Sequence, residues 1–87
     1  MKLKWADEAW EDYLWWHKHD RRLYERVNKL IEEIRKDPFR GIGKPEPLRH
    51  EWSGYWSRRI NEEHRLAYKV GNGVLFIAAC RYHYSKK

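Results

Sequence analysis

The stretch between Asp20 and Pro38 constrains the fold of this chain more than any other part of it. Hydrophobic side chains recur there with the 3.6-residue period of an α-helix, at Leu23, Val27, Leu30, Ile31 and Ile34. Asp20 is a residue type that caps the N-terminus of a helix, and Pro38 cannot continue one. The pattern therefore predicts an amphipathic helix whose apolar face must be covered by the rest of the chain.

Large aromatic side chains supply much of that cover. Leu, Ile, Val and Phe together number only 17 of 87 residues, a proportion that by itself favours disorder. Six Trp and six Tyr reverse this, because each aromatic side chain buries about 150 to 250 Å². The length suits a single core, so we predict one domain over residues 1–87.

A strand and a further helix are predicted before Asp20. Polar and apolar residues alternate from Met1 to Trp5, which is typical of a short strand. From Asp7 the pattern becomes helical, with an apolar stripe at Trp10, Tyr13, Leu14 and His17. Trp15 and Trp16 widen this stripe beyond what a single packing face needs.

The chain after Pro38 predicts a loop and then a meander of strands. Residues 39–47 contain two Gly and two Pro, which break both helices and central strands. Four strand-like runs follow, separated by turn residues, at 48–51, 55–61, 65–70 and 74–82. The predicted fold class is α+β, with two N-terminal helices packed on one face of an antiparallel β-sheet.

Positive charge is concentrated in the second half of the chain. Residues 1–37 carry nine basic and nine acidic side chains, whereas residues 38–87 carry ten basic and four acidic ones and hold the whole net charge of +6. A generally basic protein would spread this excess evenly. The asymmetry favours a polyanionic partner for the second half.

Several classes of protein are not favoured. No apolar run approaches a membrane span, and the first residues carry charges where a signal peptide would be apolar, so we expect a cytoplasmic protein with no membrane association. A single cysteine, Cys80, excludes an internal disulfide and a Cys-based zinc cluster. His17 and His19 point apart on a helix, and we expect neither a metal nor a cofactor. Cys80 is most simply a small core residue.

The basic half contains the residue types that cleave RNA by transesterification. That reaction needs a base for the 2′-OH, an acid for the departing 5′-oxygen and cations for the charge on the phosphate. Glu46 can be the base and His83 the acid. Arg65 and Arg81 can be the cations that clamp the phosphate, and Tyr84 can be a stacking surface for a nucleobase.

Further basic residues of this half are candidates for RNA contacts: Lys44, Arg49, His50, Arg58, Arg59 and Arg81. Other interpretations stay open on the residues alone. Glu46 between two prolines fits a solvated loop charge, the Arg58–Arg59 pair fits surface ion pairs with Glu62 and Glu63, and His83 fits an idle terminal residue. RNA binding without catalysis explains the pattern equally well.

Four motifs in order carry a resemblance to a known family. They are GKPEPL, SG-WSRRI, EEHRL-Y and AACRYHY, and the similarity extends from the opening MKL-W strand to the terminal RYHY. Together they closely resemble the YoeB toxins of type II toxin-antitoxin systems, members of the RelE/ParE superfamily. The resemblance implies a microbial-RNase-like fold and a ribosome-dependent mRNA endonuclease that cleaves the codon in the ribosomal A site.

The resemblance also implies roles for particular residues and partners. It assigns the general base to Glu46, the phosphate-stabilising arginine to Arg65, the general acid to His83 and an aromatic contact to Tyr84. It implies neutralisation by a YefM-like antitoxin, action on the 70S ribosome and mRNA, and contact with operator DNA only through the antitoxin complex. The oligomeric state stays open, with a homodimer as one option.

Two departures from the family pattern and one alternative function remain. Arg49 stands where the family usually has lysine. The positive charge is kept, but a compact ammonium group is replaced by a planar guanidinium with several donors. The chain continues through residues 85–87 where the family often ends at the residue matching Tyr84. The alternative is a non-enzymatic ParE-type toxin that inhibits a protein such as gyrase. Glu46 and His83 argue against it, because ParE-type proteins lack that acid/base pair.

Overall fold

The computed structural model describes residues 1–82. Its elements in chain order are β1 (Lys2–Trp5), α1 (Asp7–His19), α2 (Arg21–Lys36), β2 (Glu46–Pro47), a 3₁₀ turn (His50–Trp52), β3 (Trp56–Arg59), β4 (Arg65–Gly71) and β5 (Val74–Ala79). The two helices and most of the strands are where the sequence predicts them. The run at 48–51 is not a strand, since it leads into the 3₁₀ turn. Within residues 1–82 neither helix is long and apolar enough to cross a membrane.

The five strands form one mixed sheet in the order β1-β5-β4-β3-β2. Strands β2 to β5 pair in antiparallel fashion, but β1 pairs with β5 in parallel, with Leu3 opposite Leu75. The expectation of a wholly antiparallel sheet is therefore wrong at this edge. A parallel pair cannot be joined by a tight hairpin, and here both helices and the other strands lie between its two members.

Helix α2 covers one face of the sheet as its periodicity predicts. The Asp20 carboxylate accepts a hydrogen bond from the Leu23 N–H at 3.2 Å and so caps the helix. The buried residues of α2 are Val27, Leu30, Ile31 and Ile34. They share one core with residues of β4 and β5, among them Leu66 and Leu75. Burial of this face holds the helix to the sheet.

Helix α1 is rotated from the predicted orientation. Its buried residues are Ala9 and Trp16, whereas Trp10 and Leu14 are 44% and 47% exposed. Trp10 instead lies at the edge of the core, where its ring packs edge-on against Trp5 at 5.5 Å. Of the predicted stripe only Tyr13 packs against the core, and the prediction is wrong for Trp10, Leu14 and His17, which are exposed. Several faces of this helix carry aromatic rings, and tertiary contacts decide which of them is buried.

A buried arginine holds the loop that follows α2. Arg58 is completely buried, and its Nη2 donates to the carbonyls of Asp37 at 2.6 Å and Arg40 at 2.9 Å. Its Nη1 donates to the Ile42 carbonyl and its Nε to the Tyr68 hydroxyl, both at 3.1 Å. The prediction that Arg58 binds RNA or pairs with surface carboxylates is therefore wrong. Its guanidinium supplies donors to backbone carbonyls that no helix or strand satisfies.

Replacing Arg58 with methionine should strongly destabilise the fold. The change keeps an unbranched side chain but leaves several loop carbonyls without donors, at an expected cost of about 3 kcal/mol. For a domain of this size that corresponds to a fall of roughly 15 °C in Tm. Arg59→Met is the matched control, because the neighbouring side chain is exposed and its Tm should change little. Equal Tm values for the two variants in differential scanning calorimetry would contradict this account.

Candidate active site

The sheet face opposite the helices carries Glu46 and Arg65. Ser57 on β3 lies opposite Glu46 on one side and opposite Ala67 on the other, and Arg59 lies opposite Arg65. Opposed residues of antiparallel strands share a face, as do alternate residues of one strand. Glu46, Arg59 and Arg65 therefore project from the same face, which we call the open face.

Small side chains form the floor between these groups. Ser57 and Ala67 are both buried although they lie on the open face. Two strand spacings and a two-residue offset separate Glu46 from Arg65, which puts their backbones about 12 Å apart. A carboxylate and a guanidinium thus stand on opposite sides of a shallow floor. A general base and a phosphate-binding cation need such an arrangement.

The loop between β3 and β4 holds the Arg65 guanidinium. Its Nη1 donates to the backbone carbonyls of Asn61 at 2.7 Å, Glu62 at 3.1 Å and His64 at 3.1 Å. The Asn61 side chain in turn accepts from the N–H groups of Glu63 and His64, which closes the turn that the sequence predicts here. The cation is consequently fixed before any substrate arrives.

Other candidate RNA contacts border the open face near β2. The exposed members of this set are Lys44, Arg49, His50 and Arg59. The Arg59 N–H donates to the Gly43 carbonyl at 2.7 Å, which ties the loop before β2 to β3. A Cβ at Gly43 would lie 2.9 Å from a Leu30 methyl group, so only glycine allows this close approach. Lys44 follows this glycine and precedes β2, the edge strand of the sheet.

The segment of residues 80–82, which follows β5, is anchored to α1. The Cys80 carbonyl accepts from Trp16 Nε1 at 2.8 Å, and the Cys80 thiol donates to the Ala9 carbonyl at 3.3 Å. Burial raises the pKa of the Cys80 thiol to about 12. The prediction of a core cysteine is confirmed, since a fully buried thiol with this pKa is no nucleophile at neutral pH.

Arg81 is stacked between aromatic rings. Its Cζ lies 3.7 Å from the Trp15 ring centroid and 4.7 Å from that of Tyr82, and its Nη1 lies 3.4 Å from an Asp12 carboxylate oxygen. These contacts anchor the 80–82 segment, a role that the sequence did not predict. The surplus of tryptophan on α1 was the signal for this role, because Trp15 is 37% exposed and its ring contacts this arginine. A part for Arg81 in clamping phosphate stays a prediction.

Tyr82 lies against the start of β4. Its carbonyl accepts from the Arg65 N–H at 3.1 Å, and its own N–H donates to His64 Nδ1 at 2.7 Å. The predicted acid His83 and the predicted aromatic Tyr84 lie outside the described residues. His64 escaped the sequence analysis because its partner is 18 residues away in the chain and no local pattern marks the contact.

Among residues 1–82, no group of three or more His, Cys, Asp or Glu side chains lies close enough to hold an ion. The chemistry that this region can offer is that of a carboxylate, fixed guanidinium groups and a histidine ring.

Solved structures assign this architecture to a class of bacterial toxins. A YoeB/ParE toxin from Agrobacterium tumefaciens matches with a TM-score of 0.93 and 48% identity over 97% of this chain and all of the other. YoeB from Staphylococcus aureus, solved as a dimer and in a YoeB-YefM complex, matches with a TM-score of 0.90 in both cases, at 40% and 39% identity, over 97% of this chain and 98% of the other.

Sequence comparison narrows the class to one family. The model of the YoeB-like toxins of bacterial type II toxin-antitoxin systems matches residues 5–84, and the chain belongs to this family. Toxin YoeB of Escherichia coli strain K12 is 58% identical over 84 residues, which cover 97% of this chain and all of the relative. The resemblance seen in the four motifs is thereby confirmed.

Proposed function

We propose that this toxin is a ribosome-dependent mRNA endonuclease that cleaves mRNA in the ribosomal A site and so inhibits translation. The observation that carries the proposal is the open face, where Glu46 and Arg65 stand on either side of a small-residue floor. Tyr82 is hydrogen-bonded to Arg65 at the edge of this face, and His83 is the next residue in the chain. A candidate base and a candidate cation thus lie on one face, and the candidate acid directly follows Tyr82 in the sequence.

The proposed reaction is a metal-independent transesterification. Glu46 takes the proton of the 2′-OH, and the 2′-oxygen forms a bond to the adjacent phosphorus. Arg65 stabilises the charge that develops on the phosphate, while His83 gives its proton to the departing 5′-oxygen. The products are a 2′,3′-cyclic phosphate and a 5′-OH. The Tyr84 ring would stack on a nucleobase.

The exposed basic residues beside β2 explain a need for the ribosome. A contact set made of Lys44, Arg49, His50 and Arg59 binds phosphate backbone without reading sequence. The ribosome would supply what these contacts lack, an mRNA held in one register against the open face. This role requires a cytoplasmic toxin.

Primer extension on a translated message tests the proposal. Cleavage should appear at codons in the A site with 70S ribosomes present and should be much weaker on the same message alone. Glu46→Gln removes the proposed base at nearly constant size and should abolish most of the cleavage. Undiminished cleavage by Glu46→Gln would remove Glu46 from the mechanism. If ribosomes, message and wild-type toxin together gave no cleavage, a protein target of the ParE type would be favoured.

A YefM-like antitoxin is the proposed partner that silences the site. YoeB of S. aureus forms a complex with YefM. We infer that the antitoxin of this chain covers the open face with an acidic segment that is disordered when free, because a toxin of net charge +6 attracts such a chain. Contact with operator DNA would then occur only through the antitoxin complex. A toxin homodimer is the assembly to test when the antitoxin is absent.

Binding of the antitoxin should weaken with salt. Raising the NaCl concentration from 0.1 to 0.5 M should increase Kd at least ~10-fold if exposed charges carry the contact. Arg59→Gln should flatten this dependence, whereas Arg22→Gln, which removes an equal charge from α2, should not. Isothermal titration calorimetry of wild type and the two variants at both salt concentrations measures the effect. If only Arg22→Gln altered the salt dependence of Kd, the antitoxin would bind on the helices and not on the open face.

A further inference from the structure

His64 is a buried histidine for which the proposed reaction has no direct use. Only 8% of the surface of His64 is exposed. The ring packs edge-on against Trp16 at 4.8 Å and lies 5.6 Å from the Tyr82 ring. Its backbone N–H donates to Asn61 Oδ1 at 2.7 Å, and its carbonyl accepts from the Ile60 N–H at 2.9 Å. The imidazole is therefore fixed in position and in orientation.

Within residues 1–82, the one strong polar contact of this ring is to the backbone of Tyr82. The Tyr82 N–H donates to Nδ1 at 2.7 Å, a short distance for a hydrogen bond of this kind. The Tyr82 carbonyl accepts from the Arg65 N–H. Both backbone groups of one residue are thus held by two consecutive residues at the start of β4.

Tyr82 has a backbone conformation that its side chain disfavours. Its φ is +62°, in the left-handed region, where residues other than Gly, Asn and Asp are uncommon and cost on the order of 1 kcal/mol or more. Such a conformation persists only where surrounding contacts impose it, and those contacts are the two hydrogen bonds to residues 64 and 65. Strain of this kind concentrates at functional sites.

We propose that His64 is a positioning residue for RNA cleavage, which acts by accepting the Tyr82 N–H at Nδ1 and so fixes the point from which the chain continues to His83 and Tyr84. The inference rests on the proposed function. His64 itself transfers no proton to or from the RNA. Its contribution is to fix Tyr82, the residue that precedes the proposed acid in the sequence, relative to Arg65, whose backbone binds the same tyrosine.

The proposal requires one protonation state of the ring. Nδ1 accepts a hydrogen bond only without a proton, so the ring proton of neutral His64 lies on Nε2, which is 3.6 Å from a Glu63 carboxylate oxygen. Burial lowers the pKa of His64 below its ordinary value of 6.5, Arg81 and Arg65 act in the same direction, and Glu63 and Asp12 oppose it. The acceptor is therefore present at neutral pH.

Acidification should release Tyr82. A second ring proton would occupy Nδ1 and turn the acceptor into a donor that faces another donor. Because the pKa in the folded state lies below that of the unfolded state, the contribution of His64 to stability is complete above pH 6.5 and is lost as the pH falls through the folded-state pKa.

The variants His64→Asn and His64→Leu have side chains of nearly equal size and shape, but only asparagine has a hydrogen-bond acceptor at the position of Nδ1. Their comparison therefore measures the effect of the acceptor alone. Asn Oδ1 is attached to Cγ like His Nδ1 and can accept the same N–H, whereas leucine has a methyl group at that place. On ribosome-bound message, His64→Leu should lower the single-turnover rate by ~10²-fold, the usual scale for a misplaced catalytic group. His64→Asn should be at least ~10-fold faster than His64→Leu. The part of the loss of rate below pH 6.5 that arises from protonation of His64 should be absent in His64→Asn.

A second measurement does not depend on activity. Amide hydrogen exchange at Tyr82 should be slow in wild type and His64→Asn, and at least ~10-fold faster in His64→Leu. Rapid exchange at Tyr82 in wild type, or equal rates in the two variants, would overturn the proposal. Protection of Tyr82 together with equal cleavage rates in the two variants would overturn the role in catalysis. Failure of wild-type toxin to cleave any message would instead count against the proposed function, while the exchange data would still test the contact.

Discussion

A message with a 2′-deoxyribose on the 5′ side of the scissile phosphate should not be cleaved at all. The proposed reaction takes its nucleophile from the substrate, and the deoxy sugar lacks that oxygen. A chemically synthesised mRNA with one deoxynucleotide, threaded through 70S ribosomes and read by primer extension, measures the effect. The matched control places the deoxynucleotide one position further 3′, where cleavage should proceed normally.

The products of the control reaction provide an independent check. The upstream fragment should end in a 2′,3′-cyclic phosphate and the downstream fragment in a 5′-OH that polynucleotide kinase can label. Normal cleavage of the deoxy message would mean that water or another group attacks the phosphorus. The assignment of Glu46 as the base for a 2′-OH would then be withdrawn.

Loss of the Arg65 side chain should reduce the rate of ribosomal cleavage at least ~10²-fold, the usual effect of removing a charge that stabilises a transition state. Arg65→Lys should recover little, because Arg65 binds three loop carbonyls through Nη1 alone and keeps its other nitrogens for the phosphate, whereas lysine has a single nitrogen for both tasks. Arg22→Ala removes the same charge from the helical side and should leave the rate unchanged. His83→Ala should match Arg65→Ala in size of effect if His83 is the acid.

The folded state of each variant decides how these rates are interpreted. Arg65 is half-buried at the end of a strand and lies outside the hydrophobic core, so Arg65→Ala should keep a cooperative thermal transition and still bind the antitoxin. Single-turnover rates measured well below that transition then report on catalysis alone. A folded Arg65→Ala with the rate of wild type would remove this arginine from the site.

The sequence predicts the elements whose stability is local and fails where distant contacts decide. Helix α2 follows from its period and its cap, both of which are properties of neighbouring residues. The orientation of α1 does not follow, because Trp10 and Trp16 are equally apolar and only the packing selects Trp16. The burial of Arg58 cannot be predicted from the sequence either, since this arginine binds loop carbonyls up to 21 residues away in the chain.

Part of the candidate site can likewise be predicted from the sequence, and part of it depends on distant contacts. The meander predicts that loop edges and strand ends of the basic half converge, but the shared face of Glu46 and Arg65 depends on β2, which lies within the segment predicted to be a loop. The contact between His64 and Tyr82 depends on the exact path of the chain after β5 and on an unusual backbone angle, neither of which has a sequence signature. Residue types therefore indicate the chemistry of the site, whereas its supporting contacts require coordinates.

The parallel pairing of β1 with β5 has a consequence for the biogenesis of the toxin. The first strand to be synthesised finds its sheet partner only in the last one, and β5 also separates β1 from β4. A nascent chain that still lacks residues 74–79 can therefore form α1 and α2 but cannot complete the sheet. Completion of the sheet therefore waits until residues 74–79 have been synthesised and are free to pair with β1.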